Sequence, residues 1–472
     1  MGFSVENVAQ EGPPLLLATD GKEKAKRTIL FYAHYDGQNA DPARWTMSAP
    51  FEPTLRAADG TVVPNDGGPL EDDWRLYGRA VADDKGPIAV LFHVLQGMRE
   101  LGISSDDVAI KIVLDGEEES GSPHLARSLS AEINRDKLAA DLLIPLDGPV
   151  FPTGDPTLYF GVRGITTFDL TVFGASTDLH SGHYGNWAPN AAQEIAWLVT
   201  QLKDPFSGKV LVDGFYDQRT PLGPGDLDAL EQVPEIDPMI RERFSIPWVE
   251  GDRKLREAIT WPSLNLRGLS SADVGSGART VVPARATAAF DIRLVAGCRA
   301  ETMVDLVEKH LEKLGYRVVH EEPSAEEIAK GGKIVQITRR KTSYGPTRTP
   351  IDWDISQELI DVVRKATGEE PIALPTVGGS VPLAVFEEHL SLKMIGLPIV
   401  NHDDNQHAPD ENVRPFGSSA SSDKLIPSRP PAFQFEEVLH APDAACRAGV
   451  IAGHLPIRSR DVVDRRREHA HR

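Results

Sequence analysis

Cysteine is nearly absent: Cys298 and Cys446 are the two in 472 residues. That excludes a disulfide framework and any thiolate-rich zinc module, and it fits a reducing compartment. No apolar run approaches the ~20 residues that a membrane span needs. The opening stretch lacks the basic n-region of a signal peptide and offers only a short apolar patch at residues 15–18 (LLLA). Glu6 stands where an N-myristoylation signal wants Ser or Thr. Basic charge is also short, 50 Lys+Arg against 70 Asp+Glu, and the resulting −20 disfavours nucleic acid as a partner. Repeats of solenoid type are missing. These absences point to a soluble, cytoplasmic protein with neither nucleic-acid nor membrane partners. What is present is ordinary globular composition, 40% hydrophobic and 25% charged, in a chain long enough for two or three domains.

The first third alternates strands and helices. Residues 28–33 (TILFYA), 108–114 (VAIKIVL) and 142–146 (LLIPL) are short apolar runs. Such runs predict strands buried on both faces, hence a mainly parallel sheet. Between the first two, Ile88, Leu91, Leu95, Met98 and Leu101 recur at helical spacing, predicting a helix over 86–101 that Gly102 stops. Near Gly164 the pattern changes. Residues 166–173 (TTFDLTVF) and 288–295 (AAFDIRLV) alternate strictly, which predicts antiparallel strands with one solvated face. Amphipathic helices are expected over 189–202 and 301–314, and the Pro-rich stretch 204–262 is expected to be an irregular insertion. From about residue 351 the α/β pattern returns, with a helix ending at Gly368. The expected fold is therefore α/β: a mainly parallel-sheet domain (1–163 and 347–414) carrying an inserted α+β unit (164–346) of ferredoxin-like type.

Five places carry ligands for a hard cation: His34/Asp36, Asp83/Asp84, Glu118/Glu119, Asp147 and His407. Each alone has an ordinary explanation, as a surface turn, an acidic helix start or a solvated charged face. Together they do not. Three apolar strands each run out into acidic or histidine residues, where an open α/β sheet builds its site. Two like charges ~4 Å apart repel by ~4 kcal/mol at an effective dielectric near 20, so gathering carboxylates there calls for cations. Imidazole with carboxylate suits zinc or manganese, and the lack of thiolates argues against a purely structural zinc.

Eight segments occur in order: AHYDGQ (33–38), LYGRAVADDKGP (76–87), LDGEEESGS (114–122), LDGP (146–149), DLHSGHYG (178–185), ARTVVP (278–283), GGSVP (378–382) and NQHAPDENVR (405–414). In them the chain resembles the dinuclear zinc metallopeptidases of family M-20, which include carnosinase-type dipeptidases, carboxypeptidase G, aminoacylase and succinyl-diaminopimelate desuccinylase. The dipeptidase branch is the most similar. The resemblance implies two divalent metal ions per chain, zinc first with manganese or cobalt as alternatives. His34 and Asp147 would hold one, Glu119 and His407 the other, and Asp83 would bridge. It further implies Asp36 as the partner of the His34 ring, Glu118 as general base on the attacking water, and a cis peptide between Asp83 and Asp84. An Asp at position 147 is the form usual in dipeptidases and aminopeptidases. His180 would stabilise the oxyanion in the partner subunit's site of a homodimer joined through the inserted unit, which would serve as lid and dimerisation domain. Arg293 would clamp the substrate's carboxylate, assisted by Ser380, Gly379 and, more weakly, Thr280. Glu117, His183, His402, Asp403 and Asp404 match no role. Asn65-Asp66-Gly67 with the acidic residues after it reads as an acidic loop without EF-hand spacing.

The expected activity is metal-dependent hydrolysis of a dipeptide or short peptide. Two alternatives stay open: an N-acyl-amino-acid deacylase or carboxypeptidase on the same machinery, and an inactive dimeric relic. The relic reading rests on the ends. The lead before His34 is short, and Pro415 follows Asn412-Val413-Arg414 where the resemblance implies a long closing helix. The stretch 415–472 reads as an atypical, loosely docked or disordered tail.

Overall fold

Val-, Ile- and Leu-rich runs bounded by Gly, Asp and Asn form the first sheet. The computed structural model describes residues 2–22, 24–64, 70–102 and 107–415. Its strands are β1 (Ser4–Asn7), β2 (Leu16–Thr19), β3 (Arg27–His34), β4 (Val108–Asp115) and β5 (Leu142–Pro145). They lie in the order β1-β2-β4-β3-β5. β3 runs parallel to both β4 and β5, as the buried apolar runs predict. The other two strands correct that expectation in part: β2 is antiparallel to β4, and β1 to β2. The 15–18 patch is thus used as strand, with Leu17 fully buried. The sheet has a core on each face. Phe31, Ile112 and Ile144 meet Leu91, Leu95 and Met98 of helix α1 (Lys85–Glu100) on one side. Leu30, Tyr32 and Leu143 lie on the other.

The second sheet contains β6 (Gly164–Phe173), β7 (Ser263–Ser270), β8 (Arg285–Leu294), β9 (Tyr316–Val319) and β10 (Lys333–Tyr344). Their order is β7-β8-β6-β10-β9. All neighbours are antiparallel except β9 with β10. Helices α2 (Ala191–Leu202) and α3 (Ala300–Lys313) cover one face, and Phe168, Leu170, Val172, Phe290 and Ile292 pack against Ile195, Leu198, Met303 and Val307. The Asn190 side chain starts α2 by accepting from the N–H groups of Ala192 and Gln193. One expectation fails here. The other face of β6 is not solvated, since Thr167, Asp169 and Thr171 are buried. Side chains from adjoining strands cover it: Thr171 Oγ1 meets Thr287 Oγ1 at 2.9 Å, and Asp169 is paired with Arg340. The 204–262 stretch is less irregular than expected, holding short helices at Pro224–Gln232, Asp237–Arg243 and Leu255–Ala258.

The chain then returns to the first sheet. Helix α4 (Asp354–Thr367), closed by Gly368 at φ 77°, adds Ile360 and Val363 to the α1 side. Helix α5 (Ala384–Leu390) sets Phe386 edge-on against Tyr32 at 5.5 Å. Residues 393–397 extend the sheet beyond β5, with Ile395 N–H on Leu143 C=O at 3.0 Å and Leu397 N–H on Pro145 C=O at 2.9 Å. Asn412–Val413 is itself a strand, paired with strand Arg75–Tyr77. Among the described residues no helix is long and apolar enough to cross a membrane. The expectation for the 415–472 tail, apart from Pro415, and that for Asn65-Asp66-Gly67 lie outside the described residues.

Candidate metal centre

The parallel strands deliver the first side chains. β3 ends at His34 opposite Asp115 of β4, so both strands finish at one edge of the sheet. Glu118 and Glu119 sit in the one-turn helix just after β4, and Asp147 stands two residues beyond β5. Asp83 lies in the turn that starts α1, joined to Asp84 by a cis peptide. His407 comes from the 401–412 loop and adopts a left-handed φ of 62°.

These five segments converge. His34, Asp83 and Asp147 offer donor atoms that all lie within 4.8 Å of one another, as do Asp83, Glu119 and His407. Asp83 belongs to both triads. Its Oδ1 lies 2.8 Å from His34 Nε2, and its Oδ2 lies 2.9 Å from His407 Nε2 and 2.7 Å from Gln406 Nε2. His407 Nε2 is 3.2 Å from Glu119 Oε2, which also accepts from Gln38 at 2.6 Å. Asp36 ties the two halves: Oδ1 lies 3.1 Å from His34 Nδ1, while Oδ2 accepts the Glu119 N–H at 3.1 Å. Glu118 stands beside the cluster without joining either triad, its Oε2 4.0 Å from His34 Nε2.

The donor chemistry fits hard divalent cations. With Nδ1–H committed to Asp36, the His34 Nε2 lone pair would face a carboxylate oxygen at 2.8 Å, which is repulsive unless a proton or a metal ion lies between. Burial opposes charge on His34, yet its bonds to Asp36 and Asp83 hold its pKa far above the ordinary value. Bonds to Asp83 and Glu119 push His407 up to about 10. Burial would raise Asp83, but His34 and His407 hold it well below the usual carboxylate range. Burial, then the Asp147 charge, pushes Glu118 up to about 9, and burial with nearby carboxylates takes Asp147 up to about 6. Divalent cations would take the place of the protons that His34, His407 and Asp147 otherwise retain. Oxygen and imidazole donors without thiolate suit zinc, manganese or cobalt.

A second group gathers at the end of the second sheet where β6 starts and β8 and β10 finish. Arg293 Nη1 donates to Ser380 Oγ at 2.7 Å, and the Arg163 N–H donates to Gly379 C=O at 3.1 Å. Tyr344 Oη donates to Ser380 C=O at 3.1 Å. Arg293, Gly379 and Ser380 are therefore together. His180 and Thr280 form a separate, exposed pair: the Ser181 N–H donates to Thr280 C=O at 3.0 Å, and His180 Nδ1 accepts from Gly182 N–H at 3.0 Å. Among the described residues no hydrogen bond or ion pair links either to the triads.

Several residues set aside or overlooked in the sequence have structural partners. Glu117 binds His124, and Asp403 pairs with Arg75 and Arg414. Gln38, Gln406 and Glu411 carry no recognisable metal-ligand pattern, although all three fall inside the segments quoted above. Glu411 is fully buried four residues beyond His407, and its carboxylate accepts from Arg79 and from the backbone N–H of Asp83.

Comparison with known proteins gives one consistent set of relatives. The profile of peptidase family M20/M25/M40 matches residues 30–420. The Cys-Gly metallodipeptidase dug1 of Schizosaccharomyces pombe is 30% identical over 409 residues, covering 85% of this chain and 79% of that protein. Human Beta-Ala-His dipeptidase is 27% identical over 405 residues, covering 85% and 74%. Among solved structures, the M20 family metallo-carboxypeptidase Sso-CP2 from Sulfolobus solfataricus aligns with a TM-score of 0.72 at 24% identity, covering 96% and 90% of the two chains. Human carnosine dipeptidase 1 aligns at 0.67 and 23% identity, covering 95% and 87%. At such identities the structural likeness speaks for the fold alone.

Proposed function

The chain belongs to peptidase family M20/M25/M40, and we propose that it hydrolyses dipeptides in a metal-dependent reaction, using the paired triads that share Asp83. The observation that carries this reading is the convergence of His34, Asp83, Asp147, Glu119 and His407 from distant parts of the chain. His34 and Asp147 would hold one divalent cation, Glu119 and His407 a second, and Asp83 both, with zinc as the first candidate metal. Bound there, such cations lower the pKa of water and polarise a peptide carbonyl.

The protein's own groups do the rest. Glu118 has no ligand duty and takes the proton of the attacking water. The water oxygen adds to the acyl carbon, the C–N bond breaks, and Glu118 passes its proton to the departing amine nitrogen. Asp36 fixes the His34 ring through Nδ1. Arg293 pairs with the substrate's free carboxylate, and Ser380 Oγ with the Gly379 turn donates to the same group. His180, exposed and unconnected to its own chain's triads, would donate to the oxyanion of a second copy, with Thr280 beside it. That makes the working unit a homodimer, with 164–346 as lid and dimerisation domain on a catalytic domain formed by 1–163 and 347–414. The cytoplasm is the proposed compartment. The relatives' names make Cys-Gly and β-Ala-His the first substrates to try.

The test is metal content and hydrolysis of a dipeptide panel for the wild type and Glu118→Ala. The variant should keep its metal and lose turnover by roughly 10²–10⁴-fold or more. Undiminished turnover would remove Glu118 from the base role.

A further inference from the structure

The turn that presents Asp83 is held from outside by one carboxylate. Glu411 is fully buried. Its Oε1 accepts the N–H groups of Ala82 and of Asp83 itself, each at 3.0 Å. Its Oε2 accepts the Ala80 N–H at 3.1 Å and Arg79 Nη1 at 2.6 Å. Its backbone C=O accepts the Gly78 N–H at 3.0 Å. Five donors spread over residues 78–83 thus end on one residue, and Ala80 is held at a left-handed φ of 64° among them.

The same residue closes the loop that carries His407. Arg79 Nη2 donates to Ala408 C=O at 3.2 Å. The Asn412 N–H donates to Asp404 C=O at 2.7 Å, pinching the loop at its base. Three residues in that loop, Asn405, His407 and Asp410, have positive φ values of 56°, 62° and 59°. A loop in so particular a conformation keeps its shape only when its ends are fixed. Glu411 fixes one of them to the Asp83 turn. The two ligand-bearing segments are more than three hundred residues apart in sequence, yet His407 Nε2 is 2.9 Å from Asp83 Oδ2.

We infer that Glu411 is a positioning residue for the metal centre: its carboxylate sets the Asp83 turn and couples it to the His407 loop, so that the shared carboxylate and the second imidazole arrive in register. Glu411 touches neither substrate nor metal. Its effect passes through the backbone N–H of Asp83. This inference rests on the reading of Asp83 as the shared metal ligand.

A carboxylate offers four lone-pair sites and accepts all four of these donors, whereas the amide of Gln would turn an NH₂ toward two of them. Glu411→Gln should therefore weaken binding of zinc, measured by competition with a chromophoric chelator, by about 10–100-fold. The visible spectrum of the cobalt-loaded variant should shift, and kcat should fall with little change in KM. Because Glu411→Gln also strands the buried Arg79, the double variant Arg79→Gln/Glu411→Gln separates folding from positioning. It should recover part of the thermal midpoint that Glu411→Gln loses while zinc affinity stays low. Wild-type zinc affinity in either folded variant overturns the inference. So does failure of both to fold, which would assign Glu411 to the fold alone. A wild-type chain that binds no zinc overturns the metal centre itself, a separate result.

Discussion

At the scale of single residues, the polar neighbours of the ligand candidates decide which atoms face the centre. Asp36 is the clearest case, since it holds both the His34 ring and the Glu119 backbone. Asp36→Asn keeps the shape but can present an NH₂ to Nδ1, so metal affinity should fall by about 10–100-fold; an unchanged chelator-competition curve would contradict this. Asp404 gives a pH prediction outside the ligand set. Burial, then the charges of Glu411, Asp83 and Asp403, push it up to about 7 against the bond from the Gln406 N–H. An unfolded Asp titrates near ~3.9. The folded pKa is raised, so the stability this group contributes is complete below about pH 4 and is lost as pH rises through 7, at most about 1.4 kcal/mol per pH unit. In metal-free protein, Asp404→Asn should remove that slope from urea unfolding curves measured between pH 4 and 7. Parallel pH profiles would count against it. That His34, Asp83, Glu119, Asp147 and His407 come together was expected from the resemblance carried by the ordered segments; strand ends alone announce only His34, Glu119 and Asp147, since Asp83 sits in the turn before α1 and His407 in a loop. Glu411 was not legible, since a lone Glu in a loop carries no trace of the backbone it will bind.

At the scale of elements, close approach constrains the extension of the first sheet. A Cβ on Gly396 would lie 1.9 Å from the Tyr159 ring, and the Tyr159 hydroxyl donates to Asp147 C=O at 2.9 Å. Gly396→Ala should therefore destabilise the chain by about 1–3 kcal/mol or more through overpacking, seen as a lower urea midpoint, and should weaken metal binding by displacing Asp147. Wild-type stability would show that the ring has room to shift. The apolar runs predicted β3, β4 and β5 to within two residues, because burial on both faces leaves little freedom in composition, and helical spacing predicted α1 as closely. The edge strand β1 and its neighbour β2 were missed because four-residue segments carry no clear period. The buried polar face of β6 was missed for a different reason: alternation reports chemistry, and Asp169 and Thr171 are covered by Arg340 and Thr287, which no local pattern announces.

At the scale of the whole molecule, the exposed His180 makes the oligomer testable. If His180 serves the partner's site, then mixing inactive Glu118→Ala with inactive His180→Ala and allowing subunits to exchange should restore part of the activity, since one site of each mixed dimer is whole. No recovery after verified exchange would place His180 within its own chain's site or outside catalysis. The two-sheet division and the return of the chain to the first sheet were readable from changes of period along the sequence. The contact of residues 393–397 with β5 was not, because pairing partners far apart leave no local mark.

The central claim, hydrolysis that depends on metal held by the two triads around Asp83, is tested most directly by stripping the chain of metal and titrating zinc back while following bound zinc and Cys-Gly hydrolysis together. The account predicts no hydrolysis without metal, activity that saturates as the second equivalent binds, and neither binding nor activity in Asp83→Ala. Full hydrolysis by the stripped chain, or undiminished zinc loading and turnover in Asp83→Ala, would contradict it.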